Sequence, residues 1–117
     1  DAIVNENDAS ASVEGRERYR IHRERERDPR IAPRVKAKRL SSAGALRCDV
    51  CDFDFEKTYG ERGRGFIEAH HTMPLSDLTH ETVTRDEDIA LVCSNCHRIL
   101  HRGKPAMSVQ EMRRLLF

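Results

Sequence analysis

The chain has 117 residues, which suits one domain, with 35% charged residues, 5% aromatics, no Trp and a net charge of +1. Such a composition builds only a small apolar core, and small cores need a staple such as a metal ion or disulfides. No apolar run approaches the ~18 residues of a membrane span and no signal peptide is visible, so a cytoplasmic setting without membrane contact is expected. The chain begins with Asp1 rather than Met, which fits a processed chain or an excised fragment.

The near-neutral total hides an asymmetry. Residues 1–15 carry four acids and no base. Residues 16–47 carry twelve Lys or Arg against four acids, a local +8, and residues 48–117 carry nine against twelve, a local −3. A polyanion is the natural partner of the basic block.

In chain order, residues 1–12 are small, polar and without pattern, and read as a disordered or loose start. Residues 13–27, VEGRERYRIHRERER, predict a helix despite few apolar positions, because Glu14 with Arg18 and Glu24 with Arg27 fall at helical spacing. Asp28-Pro29 favours a stop, since a residue before proline avoids the helical region. Residues 30–40 set Ile31, Val35 and Leu40 on a basic background. Residues 13–45 therefore form a basic helical arm or connector, either solvated or lying on DNA phosphate. Residues 46–117 form the second unit: a knuckle and short helix or turn over RCDVCDFDFEKTYG, a strand within GRGFIEAHH, a polar loop, a strand at IALVC and a helix from SNCHRILHRG. Gly103 and Pro105 end that helix. A last helix follows at SVQEMRRLLF, opened by the Ser108/Glu111 capping box. Its Val109, Met112, Leu115 and Leu116 make one apolar face, read as core packing. The fold class is α+β.

All four cysteines fall in two pairs, Cys48-x-x-Cys51 and Cys93-x-x-Cys96, with forty-one residues between them. Each pair can turn both thiolates toward one ion, and two such knuckles complete a tetrahedral zinc shell. Two disulfides fit poorly with a chain lacking secretory features. A redox site needs one C-x-x-C in a βαβ setting. A structural zinc would clamp residue 48 to residue 96 and fix His97, which follows the last ligand.

Four of the six histidines gather near this clamp: His70, His71, His97 and His101. His97 and His101 are four apart on a predicted helix and share a face. With an imidazole from the strand across the clamp they make a divalent-metal site. His22 and His80 belong to no such constellation and read as surface residues.

The motifs CDVC, IEAHHTMPL, DEDIALVCSNCH and RILH, over about residues 46–117, resemble the HNH nucleases of the ββα-metal group. The phrases YGERGRGFIEAHH and CHRILHRGKPAMS are most similar to the McrA-like modification-dependent restriction endonucleases. The segment EGRERYRIHRERERDP resembles the connector that such proteins place before the nuclease. The resemblance implies a small zinc-stapled ββα-metal fold with a basic N-terminal helical arm. It implies His71 as the general base, His70 and His97 as ligands of a catalytic divalent ion, with His101 joining one turn later, and a separate N-terminal DNA-recognition domain in the full-length protein. Asp88 stands where the family has the Asn that fixes the loop behind the base; an ionised Asp accepts backbone N–H bonds but cannot donate. Asn95, inside the second knuckle, is a poor substitute.

The chemistry agrees with the resemblance. A neutral imidazole can take a proton from water near pH 7, and one divalent ion can bind the scissile phosphate and the leaving oxygen. Arg64, Arg98 and Arg102 are candidates for DNA phosphates. Imidazole-rich ligation suits Mn, Ni, Co or Zn more than Mg, while the family uses Mg or Mn. The expected function is a metal-dependent DNA endonuclease domain acting on double-stranded DNA, with a homodimer implied by a double-strand cut. Two alternatives stand beside it: a non-catalytic zinc module that binds nucleic acid, which has no need of the histidines, and a zinc-stapled protein-interaction domain, which leaves the +8 segment unexplained.

Overall fold

In the computed structural model, which describes residues 13–103 and 106–117, the chain runs α1 (Val13–Glu26), α2 (Ala32–Ala43), α3 (Phe55–Tyr59), β1 (Glu68–His71), β2 (Ile89–Val92), α4 (Ser94–Leu100) and α5 (Val109–Leu116). The loose start expected over residues 1–12 and the stop at Pro105 lie outside the described residues. None of the described helices is long and apolar enough to cross a membrane.

β1 and β2 pair antiparallel, with Glu68 opposite Val92, Ala69 opposite Leu91, His70 opposite Ala90 and His71 opposite Ile89. Side chains alternate across a strand, so the two-stranded sheet has two different faces. One face, with Ala90 and Val92, packs on the cysteine knuckles, Leu100 of α4, and Val109 and Met112 of α5. The other, with Ala69, Ile89 and Leu91, packs on Ile31 and Val35 at the start of α2 and on Leu46 and Ile67. Strand, strand and α4 together make the ββα unit. Val50, Leu91, Val92 and Leu100 are fully buried, each worth about 1.5–3 kcal/mol over exposure. Few side chains reach that depth, which is why the cysteine pairs matter to the fold.

Both N-terminal helices are held against this unit. α1 has Glu14 in its first turn and Arg23 and Arg25 in its last, complementing the helix dipole, and Arg20 pairs with Glu17. It buries Ile21 and His22. α2 starts with Pro33 in its first turn and ends at Gly44, whose φ of 78° suits a residue without a side chain. Three of its charges pair with acids of that unit: Arg34 reaches Asp86 at 2.7 Å, Lys38 bonds the same carboxylate, and Arg39 reaches Asp49 at 2.6 Å. Asp49 in turn pairs with β2, accepting from the Leu91 N–H at 2.9 Å and donating its own N–H to the Leu91 carbonyl at 2.7 Å. Leu40 is exposed.

Gly63 is required by close approach, since a Cβ there would lie 2.2 Å from the Phe55 carbonyl oxygen. In α5 the capping box forms: the Glu111 N–H donates to Ser108 Oγ at 3.1 Å and the Ser108 N–H to Glu111 Oε1 at 2.9 Å. The apolar face expected along α5 is only half realised. Val109 and Met112 are buried, but Leu115 is 71% and Leu116 53% exposed. Only the first half of the helix meets the core beside the cysteine knuckles, and its second half faces outward.

Candidate metal centre and catalytic cluster

The four cysteines converge. Their sulfur atoms all lie within 4.8 Å of one another, and Cys51 Sγ is 3.8 Å from Cys93 Sγ. A tetrahedral zinc with Zn–S bonds of 2.3 Å separates its sulfurs by roughly 3.8 Å. All four thiols are free, so the disulfide pairing weighed above does not form. Backbone N–H groups point at the sulfurs: those of Val50 and Cys51 donate to Cys48 Sγ at 3.3 and 3.4 Å, and that of Cys96 to Cys93 Sγ at 3.4 Å. Burial pushes the Cys51 and Cys96 thiols up. It also opposes ionisation of Cys48, but N–H donors outweigh it and hold that thiol down. The turn between Cys48 and Phe53 needs Asp52 at φ 69°, a left-handed position that Asp tolerates. Arg113 of α5 fastens the same turn, bonding the Asp52 carboxylate and the Val50 carbonyl at 2.9–3.1 Å. The cluster can hold a zinc ion.

The histidines converge as well, around a residue the sequence reading missed. Glu26, the last residue of α1, has its side chain 9% exposed. Its Oε2 lies 2.8 Å from His22 Nε2, 3.0 Å from His97 Nε2, 3.2 Å from His101 Nε2 and 3.2 Å from His70 Nδ1. The His71 backbone N–H reaches it too, at 3.1 Å. His22, expected at the surface, is 3% exposed, and its Nε2 is 3.2 Å from His101 Nε2. The cause is helical spacing: His22 and Glu26 are four apart on α1, as His97 and His101 are on α4 and its C-cap, so each helix turns one pair toward the other. His80, also expected at the surface, is exposed and pairs with Glu17 at 2.5 Å.

The strand explains why two histidines stand side by side. Adjacent residues of β1 face opposite ways, so His70 joins the α4 side with Glu68 while His71 turns to the other. Glu68 forks, one oxygen 2.8 Å from His97 Nδ1 and the other accepting from Ser94 Oγ at 2.8 Å. That fork fixes the His97 ring and leaves its Nε2 toward Glu26. His71 is 1% exposed. Its Nε2 is 3.0 Å from Thr84 Oγ1, and its Nδ1 is buried without a hydrogen-bond partner among the described residues. Arg25 sets the Thr84 loop, donating to Thr84 Oγ1 at 2.9 Å and to the Thr82 carbonyl at 2.5 Å. Asp88 acts as an acceptor: its carboxylate takes the Arg85 N–H at 2.9 Å, and its carbonyl takes the Thr72 N–H at 2.8 Å and Thr72 Oγ1 at 3.0 Å. It thus holds the residue after His71.

Burial pushes His70 and His71 down to about 4; Glu26 partly offsets this for His70, while His22 adds to it for His71. Both rings are neutral at pH 7. For His97 burial pulls down, but Glu26 and then Glu68 outweigh it and the ring is raised. Burial alone would raise the Glu26 carboxyl, yet the imidazoles of His101, His22, His70 and His97 hold it far below the carboxylate range. The donor set fits a divalent ion. Ligand atoms 2.0–2.2 Å from an ion lie roughly 3 Å from each other, and the separations above are of that size. One atom each from His22, Glu26, His70 and His101 falls within 4.8 Å of the others. His97 borders this set, reaching Glu26 directly. The three arginines expected at phosphates are all exposed. Arg98 and Arg102 flank His97 and His101, while Arg64 lies near Glu56 and Glu61 at 3.4 and 3.6 Å.

This geometry, two strands and a helix with a cysteine clamp at their base and histidines at their mouth, coincides with what residues 48–103 match as a family: HNH endonuclease. Residues 48–103 belong to that family, a class of phosphodiester hydrolases. It is similar to the Type IV methyl-directed restriction enzyme EcoKMcrA of Escherichia coli (strain K12), at 38% identity over 80 residues, which are 68% of this chain and 27% of that protein. The chain thus spans about a quarter of the length of the relative it matches. No solved structure gives a significant match.

Proposed function

We propose that this chain is the nuclease part of a metal-dependent DNA endonuclease, in the setting of a modification-dependent restriction enzyme. The observation that carries the proposal is the convergence of four imidazoles, those of His22, His70, His97 and His101, beside a neutral His71 whose Nδ1 has no hydrogen-bond partner among the described residues. In this reading His71 takes the proton from the attacking water at Nδ1 while Thr84, set by Arg25, holds its Nε2. His70, His97 and His101 hold a divalent ion, Mg2+ or Mn2+ with Ni2+ or Co2+ as further candidates, which supplies charge stabilisation to the scissile phosphate and leaving oxygen. Asp88 keeps the loop behind His71 in place as a backbone acceptor. Arg98 and Arg102, with Arg64 farther off, meet flanking phosphates. Zinc on Cys48, Cys51, Cys93 and Cys96 organises the site and does no chemistry.

Double-stranded DNA is the substrate, and a cytoplasmic enzyme is the setting. Reading of the modified base belongs to a separate domain, in keeping with a relative that is methyl-directed and much longer than this chain. A cut in both strands by a one-site nuclease calls for two copies. The test is nicking of supercoiled plasmid with Mn2+ or Mg2+. Nicking that EDTA stops is the expected result; no nicking with any divalent ion, in zinc-loaded folded protein, overturns the proposal.

A further inference from the structure

We propose that α1, which lies wholly upstream of the residues matched by the HNH family, supplies two ligands, Glu26 and His22, to the divalent-ion site, so that the ion is held jointly by α1, β1 and α4. The inference rests on reading the histidine cluster as an ion site; it changes which residues complete that site and what the N-terminal helix is for.

The first argument is the crowding at one atom. Five nitrogens approach Glu26 Oε2 within 2.8–3.2 Å. A carboxylate oxygen offers about two lone pairs, and its two oxygens about four together. Four imidazoles and a backbone N–H cannot all donate to one oxygen. Nor can His22 Nε2 and His101 Nε2, 3.2 Å apart, both carry a proton toward each other. Lone pairs aimed at a shared cation resolve both conflicts, because ligand atoms then sit side by side without hydrogen bonds between them.

The second argument is charge. A carboxylate 9% exposed is costly unless it is paired or binds a metal. The ion-pair partners of Glu26 among the described residues are all imidazoles: His22, His70, His97 and His101. A basic helix rich in arginine thus turns its one well-buried acid toward histidines rather than toward arginine. A divalent cation is the charge this arrangement fits.

The third argument is closure. Without α1, the cluster holds three imidazoles among the described residues, those of His70, His97 and His101, and no carboxylate among them. With α1, it contains a four-residue set, His22, Glu26, His70 and His101, each offering one atom within 4.8 Å of the others. Three imidazoles and one carboxylate favour a transition ion such as Mn2+ over Mg2+.

A plug is the opposite arrangement: α1 blocks the site, with Glu26 in the place of a phosphate oxygen. The two differ in sign. The experiment titrates Mn2+ into the full zinc-loaded chain and reads free Mn2+ by EPR, for the wild type, Glu26→Gln and His22→Gln, with exposed His80→Gln as control. Zinc content and far-UV CD identify any variant that has unfolded, and the second variant then decides. The expected result is a single Mn2+ on the wild type and on His80→Gln. Glu26→Gln and His22→Gln should weaken binding by about tenfold or more, the cost of losing even an outer partner of a ligand. Unchanged Mn2+ affinity in folded Glu26→Gln and His22→Gln overturns the inference and leaves the nuclease proposal standing. Faster nicking by Glu26→Gln overturns it in favour of a plug. A wild type that binds no Mn2+ overturns the inference, and the nicking assay with the other divalent ions then decides the nuclease proposal by itself.

Discussion

The cysteine clamp and the histidine cluster sit on the same ββα unit, yet they are assembled in opposite ways. The clamp comes from two local turns, each bringing its own pair of sulfurs, and joining the turns makes the site. The cluster is assembled across distance: α1, β1 and α4 each bring one or two side chains, and no segment contains a usable set. The clamp therefore couples to whether the domain folds, whereas the cluster couples to how helices already folded are placed. Removing a residue from one should not look like removing a residue from the other.

The largest effect belongs to the clamp. Cys51→Ala or Cys93→Ala should unfold the domain, because binding free energy at such a site is folding free energy. Far-UV CD and elemental analysis check this, and a folded variant with less than half its zinc would erase the contrast. His71→Ala, on the cluster side, should keep fold and zinc while nicking falls by about 10²–10⁴-fold, the usual reach of a general base; undiminished nicking would remove His71 from the mechanism. His97→Ala should also retain zinc, although it directly follows the ligand Cys96. Its lost activity should return in part with excess Mn2+, a rescue that a clamp variant cannot show. The boundary between the two is sharpened by Arg98→Ala and Arg102→Ala. If each meets a phosphate, each lowers the slope of log affinity against log salt by about 0.9, and an unaltered slope assigns them to the surface.

The smallest effect tests how α2 is held. Arg34 first, then Lys38, push the Asp86 carboxyl down to about 2, below the ~3.9 of an unfolded Asp. A depressed carboxyl stabilises above its unfolded value, and that stability is lost as pH falls through its folded value. Asp86→Asn should therefore lower Tm slightly near neutral pH, and the gap from wild type should close on acidification between about pH 4 and 2. A gap that persists at the acid end would mean that the loss does not come from the Asp86 charge, and the absence of any gap would mean that its pairs with Arg34 and Lys38 add nothing to the hold on α2.

What could be read from the sequence divides along the same line. The C-x-x-C pairs, the Ser108/Glu111 box and the short strands were visible, because each is a local pattern. So was the His97/His101 face. The same rule of four applied to His22 and Glu26 would have exposed the missing half of the cluster. It was hidden by composition, since α1 carries so many charges that one more acid looked like another solvent-exposed partner for arginine. No spacing rule says that α1 lies across β1; only the packed structure puts Glu26 under His70. Leu115 and Leu116 failed for the converse reason. Their periodicity is sound, but a helical stripe is buried only as far as there is a surface beneath it.

The attachment of α4 has one more consequence. Its start is fixed by Cys93 and Cys96 and its side by the bond from Ser94 to Glu68, so its angular phase is set before His97 and His101 are reached. Each residue turns a helix by about 100°. One residue inserted between Cys96 and His97 would swing both imidazoles that far around the axis, leaving every side chain of both sites present and the two sites out of step. Only an insertion near a whole turn, about 3.6 residues, would bring them round again, displaced by 5.4 Å along the axis. The distance in sequence from sulfur to imidazole is thus a phase lock, and it tolerates substitution of Arg98 or Ile99 far better than a change in their number.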